Sequence, residues 1–255
     1  MNFIAAGLSD VGLQREHNED SFCILPEHRL FIVADGMGGH RAGDVASKMA
    51  THSIASFFQA TANEDATWPF SFDPHLSIDE NRLVTGIKLA NRKIFEASIK
   101  HREVHGMGTT VVGALFSKDK SKLYVAHVGD SRAYRIRGGE ITQLTRDHSL
   151  LNDYLLVMPD MTEEQKDELP KNVITRALGM QDSVAVDMVP DEPQAGDVYV
   201  LCSDGLSGMI DDDELLRLVG EAGDDMEKAA HDLVAAANAN GGEDNITVVT
   251  MLFTD

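Results

Sequence analysis

The sequence predicts an α+β fold, and three observations carry that prediction. Two long segments, 41–60 and 79–101, repeat apolar residues at helical spacing. Residues 109–144 form a block of short apolar runs broken by polar or glycine turns, and such runs pair antiparallel. Helices stand in groups between runs of strands, without the one-for-one alternation of a βαβ repeat.

Taken in order, residues 20–34 read as a hairpin: a strand over 21–25, a turn around Pro26, Glu27 and His28, and the apolar run 30–34, which halts at Asp35-Gly36-Met37-Gly38-Gly39. The 41–60 helix follows, with Ala42, Val45, Ala46, Met49, Ala50, Ile54, Phe57 and Phe58 on its apolar face. Residues 61–77, holding Trp68, Pro69 and Pro74, read as a loop. The second helix, 79–101, aligns Leu83, Ile87, Ala90, Ile94 and Ala97. Strands are then expected at 109–116, 123–128, 133–136 and 141–144, with turns at 117–120 and at Gly138-Gly139. The stretch 147–179 is mixed and charged, with a short helix at 162–169, and reads as a flap inserted beside the sheets. Strands return at 184–189 and 198–202, helices at 212–219 and 226–238, and a strand at 246–253 closes the chain. No internal repeat or interdomain linker interrupts this order, so residues 1–255 read as one domain.

The charge balance narrows the partners. Against 42 acidic residues stand 22 basic ones, a formal charge of −20, which repels nucleic acid and anionic membranes. Apolar residues at 43% exclude disorder. No apolar run reaches the length of a membrane span, and the first residues lack a basic, apolar leader pattern. Cys23 and Cys202 each sit inside an apolar run, as free thiols of a reducing compartment do. These features describe a cytoplasmic protein, expected to act as a monomer.

The chemistry gathers where strands end. Asp20 opens the first strand of the hairpin and Asp35 closes the second, so antiparallel pairing sets both carboxylates at one end of a sheet. Asp130 closes the 123–128 strand, Asp204 follows the 198–202 strand, and Asp244 precedes the last strand, most of them beside glycine. Asp-Gly is also an ordinary turn pair, so no single one of these is informative. Five that converge are: two carboxylates 4 Å apart repel by about 4 kcal/mol at an effective dielectric near 20. Only cations can neutralise such a cluster, and an all-oxygen donor set selects hard divalent ions such as Mg²⁺ or Mn²⁺.

Six ordered motifs, Arg15-Glu16-His17-Asn18-Glu19-Asp20-Ser21, Asp35-Gly36-Met37-Gly38-Gly39-His40, Gly108-Thr109-Thr110, Val128-Gly129-Asp130-Ser131-Arg132, Ser203-Asp204-Gly205-Leu206 and Gly242-Glu243-Asp244-Asn245-Ile246-Thr247, closely resemble those of the PP2C-type (PPM) metal-dependent serine/threonine phosphatases, in their compact bacterial branch. The resemblance spans nearly the whole chain. It implies a four-layer αββα sandwich of two antiparallel sheets flanked by helix pairs, with two Mn²⁺ or Mg²⁺ ions at one end of the sheets. By position, Asp35 would bridge the two ions, Asp204 and Asp244 would hold the first, and Glu19 with the Gly36 carbonyl would serve the second. Asp130, with Asp204, would ligate a third, weaker ion. Asp20 would orient metal-bound water, and Arg15 would grip the phosphate, as a guanidinium fork can. The implied reaction is direct attack of activated water on phosphorus, with phosphorylated proteins as substrates and a serine/threonine kinase as the opposing partner.

Other positions read differently. Animal members often carry histidine where Met37 stands; His40, in the same loop, is a candidate proton donor to the leaving alkoxide, with loop packing or a helix N-terminal contact as its other reading and metal-bound water as the other donor. His127, in an apolar strand, reads as a core histidine. His148 stands where the flap begins and reads foremost as a structural histidine, with ordering of the flap as the alternative, while Arg176 is expected to support structure or contact the flap. The apolar run 150–156 reads foremost as core cover, with a substrate-facing lid as the alternative. Ser203 and Cys202 lack the glycine elbow and paired base of a covalent nucleophile. A noncatalytic phosphopeptide reader would have no reason to keep the carboxylate cluster, and a Ca²⁺-binding protein would leave Arg15 without a role.

Overall fold

The computed structural model describes residues 2–38, 42–62, 70, 72–170 and 173–254. Their elements, in chain order, are β1 (Asn2–Asp10), β2 (Asp20–Leu25), β3 (Leu30–Met37), α1 (Ala42–Ala60), α2 (Ile78–Lys100), β4 (Gly108–Thr109), β5 (Val111–Phe116), β6 (Leu123–Val128), β7 (Arg132–Arg137), β8 (Glu140–Gln143), α3 (Leu150–Val157), α4 (Glu163–Asp167), β9 (Asp187–Asp191), β10 (Val198–Cys202), α5 (Asp204–Ser207), α6 (Asp212–Ala222), α7 (Met226–Ala239) and β11 (Ile246–Thr254).

Eleven strands form two antiparallel sheets. The first runs β1-β11-β10-β7-β8, and the second runs β2-β3-β5-β6-β9, with β4 added beside β3. Strand parity explains the layers. In β3, Leu30, Ile32 and Ala34 face the core under α1 and α2, with Ile54, Phe58, Leu83 and Ile87. Phe31 and Val33 face the other sheet. In β10, Val198, Val200 and Cys202 meet α6 and α7, while Tyr199 and Leu201 point between the sheets. Sheets buried on both faces read as continuous apolar runs, which is why these strands lack alternation in sequence. The result is helices, sheet, sheet, helices: the αββα sandwich expected from the motifs.

The helix starts follow from their caps. Ser77 and Glu80 form a capping box at α2, and Asp211 and Asp225 accept from the third backbone N–H of α6 and α7. At the end of the sandwich where β10 begins, Phe116 stacks on Phe3 and Phe253 with centroids 5.4 and 5.5 Å apart. Arg137 forks onto Asp197 there at 2.7 and 2.6 Å. That end is closed by aromatic and ionic packing, and the opposite end carries the loops.

Several elements differ from the sequence reading. The sequence reading assigned no strand before residue 20, yet β1 pairs with β11 over nine positions at the sheet edge. Its residues are mostly half-exposed, so an edge strand leaves little hydrophobic signature. The strand expected at 184–189 starts at Asp187, where pairing with His127 begins; Val184 and Val186 pack against the helix-side core without pairing. Asp204 opens the one-turn helix α5. The flap helix α3 buries no residue, and Leu156 and Val157 are exposed, so the run 150–156 does not cover core. Residues 63–69 of the expected loop lie outside the described residues. No helix among the described residues is long and apolar enough to cross a membrane.

Candidate active site

Antiparallel pairing places Asp20 directly opposite Asp35, at the open end of the second sheet. At the same end, the β6–β7 turn presents Asp130, the exit of β10 presents Asp204, and the entry to β11 presents Asp244. The aspartates interact: Asp35 feels Asp20, Asp204 and Asp244, and Asp130 feels Asp204. Like charges opposite one another in a sheet are destabilising, and burial adds to the cost. Burial and the neighbouring carboxylates push Asp20 up to about 7 despite hydrogen bonds from Thr247 and Ser203. Asp130 is pushed up to about 7, again by burial first and Asp204 second. Burial raises Asp35 well above the usual carboxylate range, with Asp20 and Asp204 adding to it. It raises Asp204 as well, against a hydrogen bond from Asp35.

Three oxygens of this cluster, Asp20 Oδ1, Asp130 Oδ1 and Asp204 Oδ1, are buried without a hydrogen-bond partner. Buried acceptors are almost always satisfied, so orphaned oxygens on several adjacent carboxylates fit a set of divalent cations. Chemically the donors are all hard oxygens, as Mg²⁺ and Mn²⁺ require. Among the described residues, the group of three His, Asp or Glu side chains whose donor atoms all lie within 4.8 Å is elsewhere, His127, His148 and Asp187. The aspartates of the cluster form no such group of three among the described residues.

Glu19 and Gly36 are brought together by two glycines. A β-carbon on Gly43, in the first turn of α1, would stand 2.5 Å from Glu19 Oε2 and 2.8 Å from the Gly36 carbonyl oxygen. One on Gly36 would lie 2.2 Å from the Gly43 carbonyl oxygen and 2.4 Å from that of Glu19. Side chains are excluded at both positions, so a carboxylate and a carbonyl share one small cradle. Arg15 reaches the cluster from the other side: its Nη2 donates to Asp244 Oδ2 at 2.6 Å. Both groups are substantially exposed, as a phosphate-facing pair must be. His40 lies outside the described residues.

The sequence reading passed over the residues that aim these groups. Ser203 Oγ donates to Asp20 Oδ2 at 2.8 Å and accepts from the Thr247 backbone N–H. Asn18 Oδ1 accepts from the Asp20 N–H, and its amide donates to Ser9, itself bonded to Thr247. Thr110 Oγ1 accepts from the Asp35 N–H, Thr109 Oγ1 donates to the Asp35 carbonyl, and Ser131 closes the group at 2.6 Å from Thr110. Asn245 accepts from the Glu19 N–H and donates to the carbonyls of Val11 and His17, latching the 11–19 loop to the Asp244 turn. Part of the signal was present, since Asn18, Ser131, Ser203 and Asn245 each sit inside a recognised motif beside a carboxylate. Beyond Met37, the flap residues Ile174 and Arg176, with Met180 just after the flap, line a cleft of about 370 Å³ at the rim.

Comparison with known proteins agrees with this architecture. The family model for protein phosphatase 2C matches residues 14–245. The chain belongs to the protein phosphatase 2C family. It is 36% identical to the serine/threonine phosphatase stp of Listeria monocytogenes over 249 residues, 94% of this chain and 92% of the relative. The crystal structure of the Mycobacterium tuberculosis serine/threonine phosphatase PstP/Ppp superposes with a TM-score of 0.84 at 33% identity, covering all of both chains. The PstP catalytic domain solved with two manganese ions superposes at 0.82, with 34% identity and 99% of each chain covered.

Proposed function

We propose that the chain is a phosphoprotein phosphatase that hydrolyses phosphoserine and phosphothreonine with the help of Mn²⁺ or Mg²⁺, two ions per chain and a third, weaker one. It works as a cytoplasmic monomer opposite a serine/threonine kinase, as one domain over residues 1–255 with its flap at 147–179. The observation that carries this reading is the carboxylate cluster with three buried oxygens left without a partner, beside an exposed arginine. Support for the metal comes from the PstP neighbour, which binds two manganese ions.

Asp35 would be shared by both ions, Asp204 and Asp244 would hold one, and Glu19 with the Gly36 carbonyl would hold the other. Asp130, with Asp204, would take the third. Bound divalent ions supply the charge that neutralises phosphoryl oxygens and acidifies water. The chain supplies the rest. Ser203 occupies one oxygen of Asp20, leaving Oδ1 as the acceptor that orients the attacking water and holds its proton. Arg15 exchanges its bond to Asp244 for a forked grip on the phosphate, offsetting repulsion of a dianion by an acidic protein. His40 is the proton donor for the leaving alkoxide. No side-chain nucleophile takes part: burial pushes the Cys202 thiol up to about 12, and Ser203 is committed to Asp20.

The test is hydrolysis of a phosphothreonine peptide by the purified chain with Mn²⁺, Mg²⁺, Ca²⁺ or excess EDTA. Turnover with Mn²⁺ or Mg²⁺, lost in EDTA, is the expected result; none under any metal overturns the reading. In the same assay Arg15→Ala should raise KM about tenfold and change kcat less, because its role is in binding. An unchanged KM removes Arg15 from the phosphate site.

A further inference from the structure

The side chains of His127, His148 and Asp187 stand close enough for a metal ion, but their hydrogen bonds define another role. The backbone N–H of Gly129 donates to His148 Nδ1 at 3.0 Å, which consumes that lone pair. In the neutral ring favoured by burial, the proton therefore sits on Nε2, facing Asp187 Oδ2 at 3.2 Å. Arg176 Nη1 lies 3.3 Å from the same nitrogen, and with both groups as donors they meet on the Asp187 carboxylate, not on each other. His127 Nε2 donates to the Arg146 carbonyl, and the two imidazoles stack at 4.7 Å with planes 16° apart. Metal bonds lie in the plane of an imidazole, and stacked rings do not aim at one point. The trio is a hydrogen-bonded hub.

What the hub joins is specific. His148 holds Gly129 from both sides, because its own N–H donates to the Gly129 carbonyl at 3.0 Å. Gly129 has φ of +108° and packs on Thr110, so its backbone sets where Asp130 stands. In the other direction, the His148 carbonyl accepts from the Thr175 N–H at 2.8 Å. Next to that bond Ser149 bridges to Ile174, and Arg176 binds Asp187 at 2.8 Å. His148 thus spans, through its ring on one side and its backbone carbonyl on the other, the Asp130 turn and the returning segment 174–176 of the flap.

We infer that His148 is a positioning residue that couples the seating of the flap to the placement of the Asp130 carboxylate, and so to the affinity of the weak ion site. The inference rests on the assignment of Asp130 made above. Two near-isosteres divide its two bonds. His148→Asn keeps an acceptor where Nδ1 stands and loses the reach to Asp187; His148→Gln keeps the reach and loses the acceptor.

Mn²⁺ binding to the full chain, by calorimetry, and hydrogen exchange of residues 173–176 test this, with Asp130→Asn alongside. The expected result is a weakest Mn²⁺ site about tenfold looser in His148→Gln, the loss typical of a supporting partner, and a smaller loosening, about threefold, in His148→Asn, where the Gly129 bond is kept and only the flap is unseated. Flap amides should exchange faster in His148→Asn. Asp187→Ala, at a half-exposed position, serves if a histidine variant fails to fold, and should speed flap exchange and loosen the weak site together. Equal loosening in the Asn and Gln variants would mark a merely structural residue and overturn the coupling. A weak site moved by Asp130→Asn but by neither His148→Gln nor Asp187→Ala overturns it too. A weak site unmoved by Asp130→Asn overturns the inference and the Asp130 assignment, while the EDTA test of phosphatase activity stands apart.

Discussion

Replacing Asp204 by Asn should abolish turnover, by on the order of a thousandfold, the scale at which one preorganised electrostatic group matters in an active site. Asp204 is nearly buried, interacts with Asp35, Asp244 and Asp130, and leaves Oδ1 without a partner. The substitution keeps shape and removes one negative charge from a cluster whose repulsion nothing in the chain fully offsets. Without metal, the variant should therefore melt higher than the parent, by about 2–4 °C for each kcal/mol of repulsion relieved. Activity and EDTA-state stability measured on the same preparation check both signs. Retained activity would take Asp204 out of the ion-binding set; a lower melting temperature would show that the carboxylate supports the fold.

The second large effect concerns pH. Asp20 and Asp130 rise from an ordinary 3.8 to about 7 on folding, chiefly through burial. Between those values the folded chain holds protons that the unfolded chain releases, so stability falls as pH climbs through this window and levels off above 7. Taking one such carboxyl from its ordinary value to about 7 costs its ionised form about 4 kcal/mol, and the sum over interacting groups is smaller than the parts. Urea midpoints in EDTA should rise as pH is lowered from 7.5 to 5.5. With Mn²⁺ present, ion binding displaces these protons, so the gap between the two curves should be widest above pH 7 and narrow toward 5. An EDTA midpoint that falls over this range would contradict the burial of these groups.

The sequence made the elements beside the site legible because their signals are local. Helical periodicity located α1 and α2 within a residue or two, and the apolar runs of β6 and β10 matched at both ends. The pairing of Asp20 with Asp35 followed from the hairpin alone. What escaped was non-local. β1 is defined by a partner more than two hundred residues away, and its half-exposed edge carries little pattern of its own. The hydrogen bonds of Ser203 and Asn245 connect different motifs, and Asn18 reaches Thr247 through Ser9, a link that no spacing rule contains. The Gly36–Gly43 approach likewise depends on how α1 meets β3, which no window of sequence contains.

The carboxylates do not belong to one sheet. Asp20 and Asp35 ride on the second sheet, Asp204 and Asp244 on the first, and Asp130 sits on the turn that crosses between them. An ion shared across this line is a rivet through a seam. The width of the seam is set by what fills it: Phe31, Phe116, Tyr199 and Phe253, packed face and edge toward the opposite end of the strands. The sandwich therefore acts as calipers, with its pivot in the aromatic packing and its jaws at the acidic end. Trimming Phe116 should change the spacing of the jaws, and with it metal affinity, without touching the acidic end.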